Sequence, residues 1–106
     1  MNESQFNSRV DELLFEIEEA LDASGVDVDY ENVGGVLTIT CENNASQVII
    51  SRQPALSEVW VAAKSGGFHL ADVEGDFICS VTGEPLRTLL NRVLTEQCEE
   101  PVALQW

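Results

Sequence analysis

The residues of this chain best suited to chemistry are acidic side chains concentrated near its N-terminus. Ten of the nineteen Asp and Glu residues lie within residues 1–31, where Arg9 is the only cation. Glu18 and Glu19 are adjacent and Asp22 follows four residues after Glu18, so two or three carboxylates can converge on one side of a helix. Carboxylate oxygens are hard ligands, suited to iron, Mn²⁺, Mg²⁺ or Ca²⁺. They cannot enclose an ion, so the pattern predicts an exposed, weak and salt-sensitive metal site.

The same acidic face has two other interpretations. It can dock on a basic protein surface, or it can be a merely solvated face. Phe15 falls inside the acidic arc, and an exposed aromatic ring there favours a protein contact. A Phe at the edge of the core, covered by a loop, fits the pattern equally well.

The overall charge limits the classes of partner. The formal net charge is −14, which argues against nucleic-acid binding because that binding depends on Lys and Arg displacing counterions from phosphates. Anionic lipid surfaces are disfavoured for the same reason. No apolar run approaches the roughly 20 residues of a membrane helix, and the acidic N-terminus resembles neither a signal peptide nor a transit peptide. We therefore expect a cytoplasmic protein without a membrane partner.

The cysteines are three in number, Cys41, Cys79 and Cys98, and no CxxC motif occurs. The odd number and wide spacing argue against a disulfide scaffold and against a thiolate zinc site. The expectation is three reduced thiols, consistent with a cytoplasmic protein.

Two amphipathic helices flank a run of strands in the predicted order of elements. Apolar residues recur at helical spacing from Phe6 to Leu21, and again from Leu86 to Leu94. Between the helices, short segments alternate between apolar and polar residues and are separated by Gly, Asn or Pro turns. The predicted strands span residues 26–31, 36–42, 47–52, 58–63, 68–72 and 77–80.

This order predicts an α+β fold, an α-β sandwich in which both helices pack on one face of an antiparallel sheet. At 106 residues, we expect a single domain over residues 1–106 with one core. The second face of the sheet would stay open to solvent and could bind a partner.

Trp60 is the strongest candidate contact on that open face. If Val59 and Val61 face the helices, alternation turns Trp60 outward, and Trp is enriched among binding hot spots. The alternative is a Trp buried beneath the C-terminal tail near Trp106. His69 is the only histidine, and no nucleophile–base pair or phosphate-binding loop accompanies it, so the sequence does not indicate an enzyme.

The chain resembles the frataxin family, and its bacterial members in particular. The resemblance rests on GGVLTIT at 34–40, SRQP at 51–54, VWVAAK at 59–64 and GGFH at 66–69. It extends from the acidic first helix to the closing helix. The connection at 23–26 is shorter and less acidic than the family pattern, which removes candidate metal ligands there.

The resemblance implies an α-β sandwich that binds Fe²⁺ or Fe³⁺ weakly through surface carboxylates. It also implies docking on the cysteine desulfurase of iron–sulfur cluster assembly and contact with the scaffold protein. Carried over by position, the candidate metal ligands are Asp11, Glu18, Glu19, Asp22, Asp27, Asp29 and Glu31. The candidate partner-binding residues are Glu18, Glu19, Asp22, Ser51, Gln53, Trp60 and His69.

The leading hypothesis is thus an iron-binding regulatory adapter of iron–sulfur cluster assembly, monomeric or forming oligomers only with metal. The first alternative is a ferroxidase or iron-storage protein, which would oxidise Fe²⁺ faster than buffer and oligomerise with metal. The second is an acidic decoy that mimics nucleic acid, which would compete with DNA for basic proteins.

Overall fold

The computed structural model describes residues 1–106 and has two helices and six strands. The elements in chain order are α1 Glu3–Ser24, β1 Val28–Val33, β2 Val36–Cys41, β3 Gln47–Gln53, β4 Glu58–Ala63, β5 Gly66–Val73, β6 Asp76–Cys79 and α2 Leu86–Cys98. A short 3-10 turn, Pro54–Leu56, joins β3 to β4. All strand pairs are antiparallel, and the order β1-β2-β3-β4-β5-β6 is that of the chain. The predicted α+β fold class is confirmed.

Helix α1 begins and ends at local signals in the sequence. The Asn2 side chain accepts a hydrogen bond from the Gln5 backbone N–H (2.8 Å), and the Gln5 side chain accepts one from Asn2 N–H (2.9 Å). This capping box satisfies two of the backbone donors that a helix start leaves free. At the other end, Gly25 adopts a left-handed conformation with φ 72°, which glycine takes without a steric penalty.

One hydrophobic core lies between the helices and the inner face of the sheet. It contains the predicted apolar stripe of α1, with Ala20 in addition, and the alternate residues of β2, β3 and β4. The C-terminal segment packs back on this core, because Val102 and Leu104 are buried and the Thr95 and Asn91 side chains bond its backbone. Neither helix is long and apolar enough to cross a membrane.

The first strand begins later than predicted. We expected residues 26–31, whereas β1 is Val28–Val33. After α1 the chain must reverse direction, and it does so through a bond from Val26 N–H to the Ser24 hydroxyl (3.2 Å) and one from Val28 N–H to the Val26 carbonyl (2.9 Å). The reversal occupies residues that alternation alone had given to the strand.

The expectation of three reduced thiols is wrong. Cys41 and Cys98 form a disulfide, with their Cα atoms 5.2 Å apart, and only Cys79 is a free cysteine. The pairing escapes sequence reasoning because 57 residues separate the two cysteines. Only the packing of α2 across the sheet brings the ends of β2 and α2 together.

Candidate functional site: an acidic helix beside an open sheet

One side of α1 lies along the edge strand β1 and runs antiparallel to it. Side chains of β1 donate hydrogen bonds to carboxylates of the helix, and we call this contact the seam. The Tyr30 hydroxyl donates to the Asp22 carboxylate, at 2.9 and 2.8 Å from its two oxygens. The Asn32 amide donates to Glu18 Oε2 at 3.2 Å. These bonds fix the carboxylates of Glu18 and Asp22 at the seam.

Asp11, further toward the N-terminus of α1, is held by Arg52 of β3. Arg52 Nη2 lies 2.7 Å from Asp11 Oδ1 and 3.4 Å from the Gly35 carbonyl. Its Nη1 donates to the Asn7 backbone carbonyl at 3.1 Å and lies 3.3 Å from Asn7 Oδ1. Arg52 therefore ties three parts of the chain together, and it neutralises one of the predicted metal ligands.

The close approach of Arg52 also explains why residue 35 is a glycine. Gly35 has φ 80°, and a Cβ at this position would lie 3.0 Å from Arg52 Nη2. A side chain at residue 35 would thus strain the backbone and crowd the guanidinium group.

Next to this seam, α1 carries a row of three exposed residues whose side chains make no polar contact within the molecule. We call this row, Glu12, Phe15 and Glu19, the free stripe. Phe15 is 60% exposed, which excludes the interpretation that a loop covers it. Glu12 and Glu19 are also exposed and lie one helical turn to either side of Phe15. An apolar ring between free carboxylates suits a basic partner with an apolar pocket.

The carboxylates of the first strand lie on the other face of the sheet. Tyr30 turns toward α1, so alternation places Asp29 and Glu31 on the opposite face, where they pair across β2 with Thr40 and Thr38. Asp27 precedes β1 and is exposed. The seven predicted metal ligands are therefore divided between two sides of the edge strand.

No group of three or more His, Cys, Asp or Glu side chains is positioned to hold a metal ion. What remains are pairs of exposed or half-exposed carboxylates, which can offer a hard cation only part of its coordination shell. The assignment of these residues as ligands stays a prediction.

Tyr30 is the only tyrosine, and the seam alters its acidity. The pKa of the Tyr30 phenol is raised, chiefly by its hydrogen bond to Asp22 and further by its partial desolvation and the negative charges of Asp22 and Glu18. Ionising the phenol would place a third negative charge at this seam, so the neutral hydroxyl is favoured.

The predicted partner-binding residues of the sheet lie side by side on its open face. Ser51, Trp60 and His69 are direct neighbours across β3, β4 and β5. The Trp60 and His69 rings stack with their centroids 4.4 Å apart and an interplanar angle of 10°. Trp60 lies between the buried residues Val59 and Val61, so its outward orientation is confirmed and the burial beneath the tail is excluded.

Glu58 organises this aromatic pair, and sequence reasoning missed it. Its Oε1 accepts a hydrogen bond from Trp60 Nε1 at 2.9 Å and lies 3.9 Å from His69 Nδ1. Gln53 pairs with Glu58 across β3 and β4, which places it beside the same group. The signal was available, because residues two apart in a strand share a face.

Two exposed valines extend the same open face toward the edge. Val33 and Val36 pair across β1 and β2, on the face that carries Glu31 and Thr38. Sequence reasoning also missed Tyr30, Asn32 and Arg52 as partners of the acidic helix. Tyr30 and Asn32 are revealed only by the position of β1 along α1, and Arg52 only by the approach of β3 to the first half of α1.

The pattern of elements and this geometry agree with a match to a known family. The Frataxin-like domain model matches residues 1–100. The chain belongs to the frataxin-like family. Among curated relatives, the iron-sulfur cluster assembly protein CyaY of Pseudomonas aeruginosa is 50% identical over 96% of this chain and 95% of its own length. CyaY of Vibrio cholerae is 44% identical over 96% of this chain and 97% of its own length.

Solved structures of the family superpose on this fold. The frataxin from Psychromonas ingrahamii, described within the CyaY protein family, is 36% identical, with a TM-score of 0.91 over 100% of both chains. A trimeric frataxin from Saccharomyces cerevisiae, complexed with ferrous iron, has a TM-score of 0.68 at 22% identity over 94% of this chain and 88% of its own. At that identity the yeast protein supports the fold alone.

Proposed function

We propose that this frataxin-like protein is an iron-binding regulatory adapter of iron–sulfur cluster assembly. It binds Fe²⁺ or Fe³⁺ weakly through surface carboxylates and docks on a cysteine desulfurase to modulate cluster formation. The observation that carries the proposal is the free stripe of Glu12, Phe15 and Glu19 on α1, in a chain whose curated relatives are iron-sulfur cluster assembly proteins.

Iron in this proposal is cargo. The residues fit loose binding of hard cations, because the available donors are carboxylate oxygens open to solvent, and other divalent cations would compete. Four of the candidate ligands are exposed and accept no hydrogen bond from another side chain, and these are the most available: Glu19, Asp27, Asp29 and Glu31. Asp11 is the least available, because Arg52 already neutralises it.

Docking on the desulfurase would use the negative potential of α1. In a chain of net charge −14, this face steers a basic partner into contact and raises the association rate, an effect that salt screens. Phe15 would then enter an apolar pocket. The Trp60–His69 pair on the open sheet would reach the scaffold protein, since a stacked, half-buried Trp is a rigid anchor.

In this proposal the protein acts by binding and not by catalysis, in the bacterial cytoplasm. It is a monomer, and it forms oligomers only when metal bridges carboxylates of different copies. His69 stacks on Trp60 and has Glu58 nearby, an arrangement that serves to position the ring. No nucleophile beside a base accompanies it.

A double charge reversal on the free stripe tests the docking surface. Glu12→Lys/Glu19→Lys changes two exposed side chains that make no polar contact within the molecule, and Glu74→Lys/Glu99→Lys is a control with the same change in net charge. We expect the first variant to bind a bacterial cysteine desulfurase at least ten-fold more weakly at low salt, with unchanged urea stability, and the control to bind nearly as wild type. An equal loss of affinity in both variants would show that binding responds to net charge and not to this surface. No loss of affinity in either variant would refute the docking proposal.

Trp60→Ala separates the two surfaces. It should leave desulfurase affinity and iron affinity unchanged while weakening contact with the scaffold protein. Loss of desulfurase affinity in this variant would contradict the assignment of the open sheet to the scaffold. Iron titrations of the Glu12/Glu19 variant and of Asp29→Asn/Glu31→Gln would tell which side of β1 holds the metal. Fe²⁺ oxidation at a rate above that of buffer would favour the ferroxidase alternative.

A further inference from the structure

The disulfide joins the last residue of β2 to the last residue of α2. Cys41 and Cys98 are both buried, and 57 residues separate them in the chain. The bond therefore closes a loop that includes most of the sheet and nearly all of α2. Its position is the junction from which the C-terminal segment 99–106 departs.

A set of hydrogen bonds holds the same junction without help from the disulfide. The Asn43 side chain donates to the Cys98 carbonyl at 2.8 Å, and the Asn44 side chain donates to the Gln97 carbonyl at 2.7 Å. Gln97, a buried polar residue, accepts from Lys64 N–H at 2.7 Å. The two asparagine bonds satisfy backbone carbonyls at the end of α2, which lack partners within the helix.

The two sulfur atoms are thus brought together by packing and hydrogen bonding before any bond forms. None of the hydrogen bonds around Gln97 involves a sulfur atom, so we expect the reduced protein to keep them and to hold the Cys41 and Cys98 thiols close together. A preorganised thiol pair reacts as an intramolecular partner, and this favours formation of the disulfide over mixed disulfides with small thiols.

We propose that Cys41 and Cys98 form a reversible thiol–disulfide lock on the C-terminal helix and tail. The oxidant is a low-molecular-weight disulfide. One protein thiolate attacks it and releases one small thiolate, and the second protein thiolate attacks the mixed disulfide and releases the other. The two protein sulfurs lose two electrons, and their two protons end on the two released thiols.

The third cysteine does not take part in this exchange. Cys79 lies in β6, four strands from β2, which is about 19 Å at the usual strand spacing. That distance is far outside the reach of a disulfide. Cys79 is therefore a matched internal control, a buried thiol in the same core.

Oxidation should stabilise the junction and the tail that depends on it. The reduced junction opens when α2 lifts at its end, which releases Val102 and Leu104 from the core. The disulfide restricts that opening and constrains the unfolded chain through a long loop. Because both sulfur atoms are buried, exchange in the folded protein passes through this opening and is slow relative to exchange in an exposed pair.

The full chain, equilibrated with defined ratios of reduced and oxidised glutathione, tests the lock. Alkylation after unfolding, followed by mass spectrometry, should count three free thiols in the reduced form and only Cys79 in the oxidised form. Thermal unfolding should give the oxidised form a melting temperature about 10 to 20 °C higher. Hydrogen exchange at residues 97–106 should slow on oxidation, whereas exchange in the α1 amides near Phe15 should stay the same.

The variants distinguish the lock from a general effect of oxidation. Cys79→Ala should retain the glutathione-dependent shift, and Cys98→Ala should abolish it while remaining folded. Three alkylated thiols at every glutathione ratio would overturn the proposal, and so would equal melting temperatures of the oxidised and reduced forms. A shift lost in Cys79→Ala but kept in Cys98→Ala would also overturn it. None of these outcomes depends on iron or desulfurase binding, so the proposed function is tested separately.

Discussion

Replacing Arg52 with Met should weaken the attachment of the acidic helix to the sheet. Arg52 is the one cation that reaches α1 from β3, and its side chain is only 14% exposed. Met keeps most of the apolar stem but removes every hydrogen bond of the guanidinium group. The perturbation therefore measures the polar tie alone.

The contacts set the size of the effect. The bond to the Asn7 carbonyl (3.1 Å) is a normal hydrogen bond, whereas those to Asn7 Oδ1 (3.3 Å) and Gly35 (3.4 Å) are long. Together these hydrogen bonds contribute about 1 kcal/mol to stability, which includes the cost of leaving their acceptors unpaired. The ion pair with Asp11, whose side chain is 67% exposed, adds at most about 1 kcal/mol. We expect a loss of about 2 kcal/mol, or about 10 °C in melting temperature.

Urea unfolding followed by far-ultraviolet circular dichroism would measure this loss. The control is Arg87→Met, which removes an exposed arginine over Trp106 and should cost less than about 0.5 kcal/mol. Asp11→Asn should lose only the ion-pair part, and that part should shrink in high salt. Arg52→Met within 0.5 kcal/mol of wild type would refute the tie, and a large loss of iron affinity in Asp11→Asn would show that Asp11 is a metal ligand after all.

Three further predictions follow from single contacts. The hydrogen bond from Arg92 lowers the pKa of Glu84 below its ordinary value of 4.5, so the pair's stabilisation is present above that pH and is lost as the pH falls through the lowered pKa. Urea midpoints of wild type and Arg92→Met should accordingly converge at low pH and differ at neutral pH. An ultraviolet absorbance titration should give Tyr30 a pKa above its ordinary value, and Asp22→Asn should bring it back toward that value; an unchanged pKa would contradict the seam hydrogen bond. Phe15→Ala should leave stability within about 0.5 kcal/mol of wild type and weaken desulfurase binding about ten-fold, since Phe15 is 60% exposed in the free protein, and unaltered binding would remove it from the interface.

Periodicity predicted the fold because each element obeys one local rule. The apolar stripe of α1 recurs at helical spacing and is buried, and the strand around Trp60 alternates between buried and half-buried residues as expected. An outward Trp60 follows from Val59 and Val61 facing inward, with no knowledge of the partner strands. The candidate face of the sheet could be predicted for this reason.

The remaining features depend on how distant segments meet. Cys41 and Cys98 have no local signal for pairing, and Arg52 belongs to a strand whose neighbours along the chain do not reveal that it contacts α1. The separation of the acidic residues onto two sides of β1 also depends on how β1 is oriented against α1. The seven candidate metal ligands are assigned by position along the chain, and only the turn of Tyr30 toward Asp22 shows that Asp22 and Asp29 lie on different sides of β1.

This arrangement changes how mutations of the acidic helix must be interpreted. Asp22 and Glu18 serve the fold as well as any ligand, because they accept hydrogen bonds from Tyr30 and Asn32 across the seam. Replacing Asp22 by Lys reverses a charge beside the docking surface and breaks the hydrogen bond that attaches β1 in the same step. A loss of binding in such a variant therefore has two explanations, whereas a loss in Glu19→Lys has one, since Glu19 makes no polar contact within the molecule. The free stripe around Phe15 is consequently the place where recognition can be measured apart from stability.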